Sequence, residues 1–128
     1  YGYIALLGIP SMQTSLENWR VQVKKGYLEL CLMLLIRSSK RMYGLELLER
    51  LESHDLSVKE GTLYPLLNRL TDDGFLQANW ETEGSKGHPR KFYSLTKKGG
   101  QAVVEMEEEF NKMVDLILKL QKGNGGRA

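Results

Sequence analysis

The sequence predicts a mainly α-helical domain with one small β-hairpin, and three observations carry that prediction. Apolar residues step by three and four through four separate segments. The period changes to two only between about residues 75 and 95. Gly74 and Thr96 mark the two changes, one a helix-ending residue and the other a helix-starting one. At 128 residues the chain is one domain's worth, and 41% hydrophobic with 27% charged residues is ordinary for a soluble protein.

In the first helix, expected over Leu16 to Arg37, the residues Leu16, Trp19, Val23, Tyr27, Leu30 and Leu34 form one face. After Gly26 the segment is apolar nearly all round, so its second half should be core and its first half should protrude. Ser38 to Arg41 make a polar break. A second helix follows from about Tyr43, with Leu47, Leu48 and Leu51 inward, Glu46, Glu49 and Glu52 outward, and His54-Asp55 ending it.

The third helix lies within Lys59–Leu76, where Leu63, Leu66, Leu67 and Leu70 fill a buried stripe and Thr62, Tyr64, Asn68 and Arg69 project elsewhere. Its entry admits two readings. Ser57 to Glu60 matches a capping box, but a start near residue 58 puts Pro65 where its missing N–H breaks a bond to Gly61. With Thr62 as N-cap, Pro65 costs nothing. The expectation is a single turn before Thr62, a regular helix after it, and Gly74 as a left-handed cap.

Phe75 to Thr82 then alternates Leu76, Ala78 and Trp80 against Gln77, Asn79 and Glu81, with Trp80 expected in the hairpin core. A turn over Glu83 to Pro89 leads to the return strand Arg90 to Leu95. Helix–helix–helix–strand–strand–helix is the winged helix-turn-helix arrangement. Thr96 suits the N-cap of a last helix, in which Val103, Met106, Phe110, Met113, Ile117 and Leu120 step 3, 4, 3, 4, 3. So regular a seam on an outer helix points to packing on another chain, with the Trp19 segment as a natural partner. The predicted organisation is an extension over residues 1–11, native or not, a winged helix-turn-helix domain over 12–95, a dimerisation helix over 96–122 and a flexible tail over 123–128.

Net charge, +2, is too small to argue for nucleic acid, but its distribution is uneven. Residues 1–42 carry six Lys/Arg against two acids and residues 59–100 seven against five, whereas 43–58 carry one against four and 101–128 four against five. Positive charge therefore gathers on the first helix and the hairpin, where Lys86, His88 and Arg90 surround the turn. A polar helix face beside a basic hairpin points to DNA reading.

Other chemistry finds little support. Cys31 sits in an apolar run and reads as a core residue, and His54 and His88 are isolated, so no metal-ligand spacing arises. No nucleophile–base pair, paired carboxylate site or phosphate loop is present, which argues against an enzyme. No cofactor is expected. Residues 1–11 are too short to span a bilayer and lack a basic start, and without a disulfide framework the cytoplasm is the expected compartment.

At this point the chain resembles the PadR family of bacterial transcriptional regulators. Four blocks carry the resemblance: Lys25-Gly26 with Leu28-Glu29-Leu30; Tyr43-Gly44; Gly61-Thr62-Leu63-Tyr64-Pro65 with Leu67 and Arg69-Leu70; and Arg90-Lys91-Phe92-Tyr93 with Leu95-Thr96 and Gly99. They span about residues 25–100. The resemblance implies a homodimer pairing each last helix with the partner's first helix, a third helix in the major groove and a wing near the minor groove or backbone. The single C-terminal helix matches the shorter subfamily.

The candidate DNA-contacting residues are Tyr43, Lys59, Thr62, Tyr64, Asn68, Arg69, Lys86, His88, Arg90 and Lys91. Thr62 and Tyr64 stand where a helix N-terminus favours phosphate, Asn68 suits adenine and Arg69 suits guanine or phosphate. Arg69 can instead pair with Asp72 or Asp73. The candidate dimer interface is Trp19, Val23, Val103, Met106, Phe110, Met113, Ile117 and Leu120. The expected function is a homodimeric DNA-binding regulator, a repressor by family tendency, on a pseudopalindrome. Two alternatives stand: a sensor holding a small aromatic effector among Trp19, Met106, Phe110 and Met113, and a protein-binding winged helix.

Overall fold

The computed structural model describes residues 12–82 and 88–125. Its elements are α1 (Met12–Ser39), β1 (Arg41–Tyr43), α2 (Gly44–Ser53), α3 (Glu60–Asp72), β2 (Leu76–Glu81), β3 (Arg90–Leu95) and α4 (Lys97–Gly125). The helices and the hairpin stand in the expected order, forming a winged helix. One element was not foreseen. The polar break after α1 contains β1, which pairs antiparallel with β3, so β3 is central and the strand order is β1-β3-β2. Three residues are too few to show alternation, and only the β3 edge gives them a ladder.

The core sits where α1, α2, α3 and the sheet meet. Leu32, Met33 and Ile36 of α1, Leu47 of α2, and Leu63, Leu67 and Leu70 of α3 are all fully enclosed. Leu76 and Tyr93 close it from the sheet. Burial pushes the Tyr93 phenol pKa up, and the neighbouring Tyr64 adds to the effect.

The end of α3 follows the sequence closely. Gly74 adopts φ 84, the Gly74 amide donates to the Thr71 carbonyl at 3.0 Å and the Phe75 amide donates to the Leu70 carbonyl at 2.9 Å. These are the paired bonds of a Schellman cap. The beginning of α3 differs. The helix is continuous from Glu60 with Lys59 as N-cap, whose carbonyl accepts from the Thr62 and Leu63 amides at 2.9 and 3.0 Å. Thr62 is therefore inside the first turn, the Ser57–Glu60 capping box does not form, and Pro65 lies within the helix. The packing of Leu63, Leu67 and Leu70 outweighs one missing helical bond.

Thr96 locks the last helix to the rest. Its hydroxyl accepts from the Gly99 amide at 2.9 Å and donates to the Gly74 carbonyl at 2.6 Å, while its own amide donates to the Phe75 carbonyl at 3.1 Å. One threonine thus starts α4 and ties it to the α3–β2 turn.

Further along α4, Arg37 donates to both carboxylate oxygens of Glu107 at 2.9 and 3.2 Å. That hydrogen bond holds the Glu107 carboxyl below the usual carboxylate range. A lowered folded pKa means the tie contributes above the ordinary carboxylate pKa and is lost as pH falls through the lowered value. The pair is solvent-facing, so the effect is small. Acid titration of melting temperature should show a shallower loss over that range in Glu107→Gln than in the parent chain.

Candidate nucleic-acid interface

The outward side of α3 exposes Thr62 and Asn68, with Tyr64 half-buried between the helix and α2. Tyr64 is held there by an unusual neighbour. A Cβ on Gly44 would overlap the Tyr64 hydroxyl and ring, so the ring lies directly on the α2 backbone at that glycine. The Tyr43-Gly44 pair thus positions a side chain of α3. Gly44→Ala should push the Tyr64 ring outward, since its tip can swing. The expected result is a change of no more than about 1 kcal/mol in stability. Any DNA affinity should fall severalfold, as checked by paired urea melts and binding titrations.

Beside α3, the hairpin and the start of α2 enclose an open groove of about 540 Å³, lined by Tyr64, Asn68, Trp80, Arg90 and Lys91 among others, with no acid among the described lining residues. Arg90 stacks its guanidinium over the Tyr43 ring, 4.6 Å from the centroid. Tyr43 meets Phe92 edge-on at 5.4 Å, Arg41 lies 4.2 Å over the Phe92 ring, and Arg41 is ion-paired with Glu81. Two adjoining rings are therefore flanked by two cations along the sheet, which orients Arg90. Tyr43 is half-buried as the base of that stack.

Trp80 departs from expectation. It does not join the hairpin core but is 65% exposed, because β2 runs past the last buried pair before reaching it. Lys91 stands opposite it in the register, with its ammonium 5.8 Å from the indole centroid. His88 is exposed at the foot of β3. Lys86 lies outside the described residues.

On the other side of α3 is a feature the sequence did not reveal. Lys24 and Lys25 of α1 line a second groove of about 290 Å³ with Lys59 and Thr62, again without an acidic lining residue. Lys24 donates to the Ser57 carbonyl at 3.3 Å, anchoring it beside the α3 entry. Three lysines, two of them 34 and 35 positions before the third, thus line one groove, a placement that only the α1–α3 packing creates. Their nearest signal was the charge excess over residues 1–42.

Arg69 is ion-paired within the chain while its side chain stays exposed. It donates to Glu29 of α1 at 2.8 Å and to Asp73 at 3.3 Å, and these carboxylates, Glu29 first, raise its pKa. Asp73 was among the partners the sequence offered, Glu29 was not. A DNA contact by Arg69 would compete with both pairs for its five N–H donors.

Comparison with known proteins agrees with this geometry. The sequence profile of the transcriptional regulator PadR-like family matches residues 32–105. The chain belongs to the PadR-like family. The transcriptional regulator Rv3488 of Mycobacterium tuberculosis is 30% identical over 89 residues, covering 70% of this chain and 81% of that protein. A PadR family transcriptional regulator from Eggerthella lenta superposes with a TM-score of 0.76 at 28% identity, covering 85% of this chain and 94% of the other. A PadR-like transcription factor from Bacteroides fragilis gives 0.68 at 38% identity, covering 80% and 98%. The protein is thus a DNA-binding transcriptional regulator of PadR-like type.

In this PadR-like chain the candidate dimer residues divide. Val103 is fully enclosed in the protomer's own core, so it is withdrawn from any seam between chains. It occupies a seam position but lies in the first turns of α4, which the domain itself covers. Met106 is half-buried against the same core. Trp19 at 58%, Val23, Phe110, Met113, Ile117 and Leu120 are exposed. Among the described residues no helix is long and apolar enough to cross a membrane.

Proposed function

We propose that this PadR-like regulator binds a pseudopalindromic operator as a homodimer and represses the genes beside it from the cytoplasm. One observation supports this most: the polar face of α3 lies between two grooves, each with lysine or arginine and neither with an acid among its described lining residues. On this reading Asn68 and Thr62 reach base edges, with Tyr64 beside them. Arg90, Lys91 and His88 take one phosphate strand or the adjacent minor groove, and Lys24, Lys25 and Lys59 take the other.

Dimerisation is supported by the outer half of α4. Besides the seam residues, Val114, Leu116 and Leu118 are exposed. The apolar positions there span roughly 200° of the helix circumference at 100° per residue, twice what one partner helix covers. A partner contributing both its α1 and its α4 would cover that arc, and Trp19 and Val23 supply the matching apolar surface.

The test is fluorescence anisotropy with duplexes tiled upstream of the protein's own gene, over a range of salt. A tight site whose log affinity falls by roughly 0.9 per log salt for each phosphate neutralised supports the reading. Sedimentation should give a dimer at the same concentrations. Equal, weak binding to every duplex would refute it. Gly61→Ala adds a test with opposite signs. A Cβ there meets nothing within 4 Å among the described residues, so helix stability should rise by about 0.5–1 kcal/mol. DNA affinity should fall if the backbone approaches phosphate.

A second reading rests on the exposed Trp19, Phe110 and Met113, with Met106 behind them: an interface that holds a flat aromatic effector. Titration with a flat cationic dye tests it. Quenching absent from Trp19→Phe supports such a site, and no quenching with no melting shift counts against it.

A further inference from the structure

Trp80 is a large apolar side chain with no core to join. The register places it, with Lys91, on the face of the hairpin that carries Leu76, Ala78 and Tyr93, the face packed on the protein. Leu76 and Tyr93 on that face are almost completely buried, yet Trp80 is 65% exposed. The hairpin overhangs the domain, and its inner surface continues beyond the core as one wall of the groove whose opposite wall carries Tyr64 and Asn68. An exposed tryptophan gains nothing for the isolated chain, since its transfer out of water is not realised.

We infer that Trp80 is a DNA contact of the wing, an apolar and hydrogen-bonding surface for the sugar–phosphate backbone beside the reading helix. This rests on the DNA-binding reading above and extends it to a residue that carries no charge. The chemistry of the groove selects the occupant. Among the described residues its charged lining is cationic, at Arg90 and Lys91, and that suits an anionic occupant. The walls are aromatic and the groove is open, which suits a rod lying across it rather than an enclosed small molecule. An indole offers both parts of such a contact: the ring packs on a deoxyribose and the N–H donates to a phosphate oxygen. Lys91, 5.8 Å from the indole centroid, supplies the neighbouring charge.

The contact has a distinctive signature, because an indole releases no counterion. Trp80→Ala should weaken binding about tenfold while leaving the salt slope unchanged, and Lys91→Ala should reduce the slope by about one. The experiment uses the full chain with Trp19→Phe, so that Trp80 is the only fluorophore of its kind, titrated with a labelled 40-base-pair mixed-sequence duplex at low salt. Anisotropy reports binding and indole emission reports the contact. Binding with quenched or shifted emission, and a tenfold loss in Trp80→Ala recovered in part by Trp80→Phe, is the expected result. Binding with unchanged emission and an affinity within twofold for Trp80→Ala overturns the contact and leaves the DNA reading intact. No binding of the unsubstituted chain by anisotropy at any salt overturns the DNA reading itself. A shift in oligomeric state on Trp80→Ala would assign the surface to a second copy of the chain and also overturn the proposal.

Discussion

Gly99→Ala is expected to destabilise the protein by roughly 3 kcal/mol or more, lowering the melting temperature by about 10 °C. The cause is local and steric. A Cβ on Gly99 would overlap the Phe75 carbonyl oxygen, with the Phe75 carbonyl carbon and Cα also close. These are backbone atoms and cannot rotate away as a side-chain tip can. Displacing that carbonyl would also strain the Thr96 amide bond to it and the Gly99 amide bond to the Thr96 hydroxyl. Each such bond is worth about 1 kcal/mol net. The adjacent glycine supplies the control. A Cβ on Gly100 meets nothing, so Gly100→Ala should be neutral or stabilise the helix by up to about 1 kcal/mol. Urea melts of the two variants decide the matter: equal midpoints would show that α4 does not approach the α3–β2 turn as closely as described.

The second large effect concerns the reading helix. Replacing Thr62 and Asn68 by alanine together with Tyr64→Phe should reduce operator affinity by at least about 100-fold, with stability changed by less than about 1 kcal/mol. Thr62 and Asn68 are exposed, so their loss leaves no cavity. Phenylalanine is chosen at 64 because the ring packs on Gly44, and alanine there would confuse a packing defect with a reading defect. One good bidentate contact from Asn68 to adenine is worth about 1–3 kcal/mol of discrimination, so that residue alone accounts for roughly 5- to 150-fold. Nonspecific binding should change far less, because the lysines and arginines of the two grooves remain. A variant that still finds the operator with parental affinity would remove α3 from the role proposed for it.

Much of this architecture is legible one residue at a time. The leucine spacing of α3, the left-handed Gly74 and the Thr96 cap depend on local stereochemistry, which a sequence states directly. The start of α3 was less legible because two local rules compete there. Proline argued for a start at Thr62, and the apolar packing that carries the helix back to Glu60 is not a local quantity. Strand β1 was hidden for the same reason, since three residues become a strand only when β3 lies beside them.

The candidate site divides along the same line. Asn68, Thr62 and Tyr64 were visible because a polar face opposite a leucine stripe has to point away from the core. Lys24 and Lys25 were not, because their place beside Lys59 depends on how α1 crosses α3. Arg69 showed the converse: its sequence neighbours offered Asp73, and the fold added Glu29. Heptad spacing marked Val103 and Leu120 alike, but the fold encloses one and exposes the other.

By itself the sequence determined which face of α3 turns inward, where that helix ends and that a polar helix would stand beside a basic hairpin. Periodicity and capping are properties of a few consecutive residues, and these features follow from them. The tertiary structure decided which charges are already spent on partners, which cations share a groove with α3 and which aromatic is left outside the core. Those outcomes depend on distances between segments far apart in the chain, and such distances exist only once the core has closed.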